Sequence, residues 1–259
     1  MLSGLKWVAL AAGLALGTGA AAQAGGEPPR MRICSMDVDY PPFARVDGSG
    51  TLQYLVYQAA REMKLKVERH VAPRRRCLEE LKSGQSDAMV SAYSPQRTDI
   101  AVFPTVDGDV DASMALGVMT YHVYRMKGAQ ADWDGSRFSG LGDKKVGVQS
   151  GFIYVIERLQ QLGVSYDDGA KALEPNLAKL AAGRFDAVVG MMEEADRLIA
   201  RSYPGQIERT GIVFEQTPVY LMVSRQFHAR HPQLAERYWE AIRQYRGSVA
   251  YRRYQLAHP

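Results

Sequence analysis

The densest positive charge in this sequence is the run Arg74–Arg76, three adjacent guanidinium groups that either hold an anion or form the solvated start of a helix. Acid or base chemistry would need a carboxylate with a tuned pKa beside a cleft, and Glu193, Glu194 and Asp37 are the candidates. No Ser/His/Asp arrangement, zinc ligand set or phosphate-cradling glycine loop can be read from the chain, and "DGSG" at Asp47–Gly50 has the composition of a turn. Of the 5 histidines, His228 and His231 stand three apart and read as surface. The 2 cysteines, Cys34 and Cys77, are too few sulfurs for a metal site. No catalytic residue, metal or cofactor is expected. The cysteines either pair, closing a loop that stabilises by about 4 kcal/mol in the chain-entropy model, or remain two buried free thiols.

The elements that would position these groups follow from periodicity. "MRICSM" (Met31–Met36) alternates and ends at the breaker run "DVDYPPF", which predicts a short strand. Leu52, Leu55, Val56, Ala59, Ala60 and Met63 recur at the spacing of one helical face. "LKVERHV" alternates again up to Pro73. "RRRCLEELKSG" predicts a helix stopped by Gly84, and "DAMV" a buried strand. Strand, helix, strand, helix, strand predicts an α/β fold with a parallel sheet. If its strands are ordered 2-1-3, the second helix crosses the first strand and carries Cys77 towards Cys34.

The pattern then returns. "KKVGVQ", "GFIYVIERLQQLG", "NLAKLAAG" and "DAVVG" predict strand, helix, helix and strand. "CLEELKSGQSDAMV" (Cys77–Val90) and "NLAKLAAGRFDAVVG" (Asn176–Gly190) share leucines three apart, a helix-stopping glycine and an Asp-Ala step into a strand. Two lobes of like design, with a cleft between them, account for both copies.

Residues Met1–Ala24 read as an export signal to be removed: Lys6, a Gly-rich apolar stretch shorter than the roughly 20 residues a bilayer requires, and small-residue cleavage sites after Ala22 or Ala24. A soluble, exported, periplasmic protein is expected, and an oxidising compartment permits a disulfide. The net charge of +4 is modest and dispersed, which argues against a nucleic-acid partner.

In their order and spacing, "YPPF", "LEELKSGQSDA", "SPQRTDIAVF", "KKVGVQSG", "LAAGRFDAVVG" and "PVYLMVSRQF" resemble the family 3 extracellular solute-binding proteins, the amino-acid receptors of ABC importers. The resemblance runs through nearly the whole chain beyond the leader. It implies a two-lobed type II periplasmic-binding-protein fold joined by two crossover strands. Lobe 1 would comprise residues 25–111 and 216–259, and lobe 2 residues 112–215. The implied protein is a monomer that closes over a small-molecule solute, an amino acid or related carboxylate, and presents it to the membrane permease of an ABC importer. An exported dehydratase-like enzyme on the same scaffold, or a sensor lobe without transport, are the alternatives.

The resemblance places Arg97 where the family grips a ligand carboxylate, a task suited to the guanidinium fork. Ser94 falls where a family threonine donates a hydroxyl. Tyr40 and Phe43 fall in the loop whose aromatics face the solute. Ser150 and Gly151 sit at a helix N-terminus that favours an anion, although Phe152 and Ile153 replace the family's frequent threonines. Met191 stands where many of these receptors carry the aspartate that pairs with the ligand ammonium. Either Glu193 or Glu194 substitutes for it, or the solute lacks an ammonium, in which case Arg75 and its neighbours would suit an anion.

Overall fold

The computed structural model describes Met1 and residues 30–258, so the expected leader, Met1 apart, lies outside the described residues. Strand β1 (Arg30–Met36), helix α1 (Thr51–Glu62), β2 (Lys66–Ala72), α2 (Arg74–Ser83) and β3 (Ala88–Ala92) follow the alternation that the periodicity predicts. β1 pairs in parallel with both β2 and β3, with Cys34 opposite His70 on one side and Met89 on the other. The order is therefore 2-1-3, and α2 must cross β1. Cys77 on α2 meets Cys34, their Cα atoms are 5.6 Å apart and the sulfurs are bonded, which removes the reading of two free thiols.

A short strand β4 (Ala101–Val102) and a small hairpin, β5 (Thr105–Val106) and β6 (Asp109–Val110), lead to the longer β7 (Gly117–Met126). A second small hairpin follows, β8 (Asp132–Trp133) and β9 (Phe138–Ser139). The alternation then resumes with β10 (Lys145–Gln149), α3 (Ile153–Gln161), β11 (Tyr166–Ala170), α4 (Leu173–Ala181), β12 (Phe185–Met191) and α5 (Met192–Ser202). β10 pairs in parallel with β11 and β12, repeating the arrangement of the first triplet. The chain returns along β13 (Ile207–Ser224) and ends in α6 (Arg225–Arg230), α7 (Pro232–Arg246) and α8 (Val249–Ala257).

β7 and β13 join the halves. They pair antiparallel along most of their length; β7 also borders β12, and β13 borders β3. The sheet order is β11-β10-β12-β7-β13-β3-β1-β2, two parallel triplets flanking an antiparallel pair. Each half has its own core on both faces of its sheet. In the first, Leu52, Leu55, Val56 and Ala59 of α1 pack with Tyr238, Trp239 and Ile242 of α7 on one face. Cys34, Cys77, Leu81 and Phe103 fill the other. In the second, Val155 and Leu159 of α3 cover one face, and Leu173, Leu177 and Leu180 of α4 the other. The molecule is two-lobed.

The repeated sequence phrase has one structural meaning in both lobes. Gly84 and Gly183 lie just past α2 and α4 with φ of 75° and 70°, a conformation costly for other L-residues, and so stop the helices. The aspartates that follow fasten the neighbouring strand. Asp87 accepts from the Arg32 backbone N–H at 2.8 Å and from its guanidinium at 2.9 and 3.0 Å. Asp186 accepts from the N–H groups of Gly142 and Lys144 at 3.0 and 3.1 Å, just before β10.

Candidate ligand-binding cavity between the lobes

A cavity of about 90 Å3 opens beyond the carboxyl ends of β1 and β3, where open α/β sheets bind their ligands. Lobe 1 supplies Ser35 and Met36 from the end of β1, Val90, Ser91 and Ala92 from β3, one face of α1 including Gln53 and Tyr57, and the loop residues Tyr40 and Phe43. From β7 come Met119 and Tyr121, and from the start of α3 come Gly151, Phe152, Ile153 and Tyr154. The loop after β1 is held by reciprocal backbone bonds between Tyr40 and Ala44. It sets the Tyr40 ring 6.0 Å from that of Phe152, which in turn meets Tyr121 edge-on at 5.2 Å. The wall is mostly aromatic and apolar.

Two guanidinium groups enter this apolar setting. Arg97, on the 3-10 turn Pro95–Arg97, is only 6% exposed. Its Nη1 donates to Ser91 Oγ at 2.7 Å and to the Ala92 carbonyl at 2.5 Å. Among the described residues no carboxylate forms an ion pair with it. Burial pulls its pKa down to about 10, and the nearby Arg74 charge pulls in the same direction, while Tyr154 and Glu157 act weakly the other way. It remains cationic at neutral pH. Arg74, the first residue of α2, donates from Nη1 to the Gly151 carbonyl across the cleft at 2.8 Å.

The tyrosines are held protonated. Burial raises the pKa of Tyr40 and of Tyr121, and pushes Tyr154 up to about 12 even though Arg97 opposes it. The Tyr154 hydroxyl is buried without a hydrogen bond of normal geometry, and the nearby Ser94 opposes the rise in its pKa. Ile153 and Tyr154 begin α3, whose opening N–H groups lack intrahelical acceptors and add positive potential to this wall.

Of the residues singled out in the sequence, Tyr40, Phe43, Arg97 and Gly151 line the cavity. Arg75 does not: its side chain is 92% exposed and faces Glu79, and Arg74 reaches the cavity instead. Ser150 is exposed and outside the lining, and its N–H is engaged by the Ala170 carbonyl, so its backbone offers no anion donor. Ser94 is buried, outside the lining, with its hydroxyl on Gln96. Glu193 and Glu194 lie in the first turn of α5, outside the lining, each with a buried, unpartnered Oε2. Burial raises both carboxyls, Glu194 to about 7. Asp37 is exposed. The sequence reading missed Tyr121, Phe152, Ile153 and Tyr154 as wall residues; the replacement of the family threonines by Phe152 and Ile153 was the available signal.

A metal reading of the nearby Cys34, His70 and Glu80 also fails. Their ligand atoms lie within 4.8 Å of one another, but the Cys34 sulfur is in the disulfide and cannot act as a thiolate. No helix among the described residues is long and apolar enough to cross a membrane.

No protein-family model matches the sequence, and no curated protein matches it. Solved structures do. A histidine kinase sensor domain with similarity to periplasmic binding proteins shares 18% identity, covering 89% of this chain and 96% of that one with a TM-score of 0.68. A probable amino-acid ABC transporter extracellular-binding protein from Bacillus subtilis shares 15% over 90% and 99% of the chains, with a TM-score of 0.66. A periplasmic binding protein from Salmonella typhimurium, described for its high arginine specificity, shares 15% over 89% and 99%, with a TM-score of 0.65. At these identities the likeness shows the fold, the two-lobed one of periplasmic binding proteins, among neighbours that are binding proteins and sensor domains.

Proposed function

We propose that this protein is an exported receptor that captures a small anionic solute between its lobes, with Arg97 gripping a carboxylate. The observation that carries the reading is a guanidinium 6% exposed, with no carboxylate in ion-pair contact among the described residues, at the wall of an interlobe cavity. Burying an unpaired charge is costly, so such a group fits a site whose counter-ion is the ligand. Residues 25–111 and 216–259 form the lobe that binds first, and residues 112–215 swing over the solute. The separation of the cores near β7 and β13 supports such a division, although Ala115 and Leu116 pack in the first lobe's cores and Tyr40 in the second's.

The closed form is then what a partner reads. Delivery to an ABC importer permease, by a monomer in the periplasm, is the first assignment, supported by the probable amino-acid ABC transporter extracellular-binding protein among the structural neighbours. The histidine kinase sensor domain among them favours a second, in which closure is a signal and nothing is imported. Catalysis is not invoked, because the cavity wall presents no carboxylate or histidine to act as acid or base.

A thermal-shift screen of amino acids, mono- and dicarboxylates and polyamines, run on the wild type and on Arg97→Ala, tests the reading, since a ligand of the native state raises its melting temperature. Anions should stabilise the wild type alone. A solute whose shift is the same in both proteins overturns the role of Arg97, and conversion of the solute, followed by NMR, overturns the receptor.

A further inference from the structure

The hydrogen-bonding groups around the cavity are lopsided. Arg97 and Arg74 carry donors and no acceptor. The carbonyls they meet, Ala92 and Gly151, each already accept one of these guanidinium bonds. The unpartnered Tyr154 hydroxyl is free to donate. Ser91 Oγ accepts from Arg97, which leaves its own proton to give. Gln53 would be the exception, but its Oε1 accepts from the Arg45 and Gly50 N–H groups and its Nε2 donates to the Arg45 carbonyl, so its amide faces the backbone. No Asp, Glu or His lines the wall.

We infer that the solute is a carboxylate made of acceptors and apolar surface, an aliphatic or aryl acid or its 2-oxo analogue, and that the cavity rejects the corresponding amino acid. The inference rests on the cavity being the solute site. An α-ammonium brings a positive charge and three donors. Between two guanidinium groups it would find no carboxylate to pair with, only neutral hydroxyl and carbonyl oxygens. The carboxylate takes the unengaged N–H groups of Arg97. A 2-oxo oxygen is a second acceptor for Tyr154, and the rings of Tyr40, Phe43 and Phe152 cover an uncharged body. Selectivity arises from leaving a buried charge unpaired in the wrong ligand.

The test is calorimetric titration of full-length mature protein, unfolded and refolded to strip any co-purified solute, with matched sets. One is 3-phenylpropanoate, phenylpyruvate, L-phenylalanine and phenethylamine; the other is 4-methylpentanoate, 4-methyl-2-oxopentanoate and L-leucine; pyruvate, succinate, L-glutamate and L-arginine complete the panel. At least one amine-free acid should bind roughly 100-fold or more tightly than its amino partner, the scale of a buried unpaired charge, and Arg97→Met should abolish that binding. An amino acid that binds as tightly as its amine-free partner, with loss in Arg97→Met, overturns the solute class while the receptor reading stands. If no carboxylate of either kind binds, both fall.

Discussion

Arg74, on the first turn of α2 in one lobe, donates to the carbonyl of Gly151, just before α3 in the other, at 2.8 Å. The bond joins the lobes directly at the cavity, and charge-assisted bonds of this kind contribute about 1.5–3 kcal/mol. It should therefore bias the open-closed equilibrium. Arg74→Ala is expected to increase the radius of gyration of the solute-free protein in small-angle scattering, and to weaken solute binding about tenfold or more. An unchanged scattering profile would show that the bond holds nothing shut.

The Cys34–Cys77 disulfide fastens α2, and with it Arg74, to the central strand of the first lobe. The chain-entropy model gives a bridge of this span about 4 kcal/mol, and removing native disulfides commonly costs 2–5 kcal/mol. The double variant Cys34→Ala, Cys77→Ala should lower the urea midpoint and steepen the slope, because the uncrosslinked unfolded chain exposes more surface. Because both cysteines are buried and Cys34 belongs to the cavity lining, solute affinity should fall as well. Equal midpoints with and without reductant would overturn the structural role.

Much of this was legible in the sequence, for local reasons. The leucine spacing, the helix-stopping glycines and the Asp-Ala steps each act within a few residues of themselves, so α2, α4 and the strands after them could be read directly. A 2-1-3 order, taken as a condition, brought Cys77 towards Cys34 but left open whether the two were bonded, which the structure shows. β7 and β13 were not readable in this way, because their pairing joins residues far apart in sequence, Tyr121 with Glu215 for example. The cavity-lining arginine of the α2 run is Arg74 rather than the expected Arg75, for a geometric reason. Successive helical side chains point about 100° apart, and composition alone could not tell which of Arg74–Arg76 faced the cleft. Tyr121 and Tyr154 come from segments far apart in sequence, and only the meeting of those segments makes them a wall.

Glu80 links acid stability to the lower edge of the first lobe. Burial by itself would raise its pKa from the ordinary 4.5, but bonds with His70 at 2.5 Å, Arg76 at 2.8 Å and Ser86 at 2.9 Å outweigh burial and bring it to about 2. The unfolded chain therefore takes up this proton at a higher pH than the folded one. The stabilisation is complete above about pH 4.5 and is lost as the pH falls towards 2. Glu80→Gln should be less stable than wild type at pH 7, with the gap narrowing through that window in denaturant titrations at fixed pH steps. A gap that stays constant from pH 6 to 2.5 would rule the carboxylate out as the source.

Arg97 poses the sharpest contrast between stability and binding. Its guanidinium is desolvated, its pKa is depressed by burial and by Arg74, and its bonds to Ser91 and the Ala92 carbonyl do not neutralise its charge. Replacing a buried ionic group by an apolar side chain of similar length is often neutral or stabilising, by about 1–4 kcal/mol. Methionine approximates the stem of arginine and adapts to irregular gaps. Arg97→Met should thus melt at the same temperature as the solute-free wild type or higher, while losing its response to carboxylates. A residue retained for structure would behave oppositely, destabilised in the variant with affinity intact once folded. Calorimetric melting of the two proteins, each with and without 3-phenylpropanoate or phenylpyruvate, whichever the wild type binds, separates these outcomes, because the fold and the ligand act on the same side chain with opposite sign.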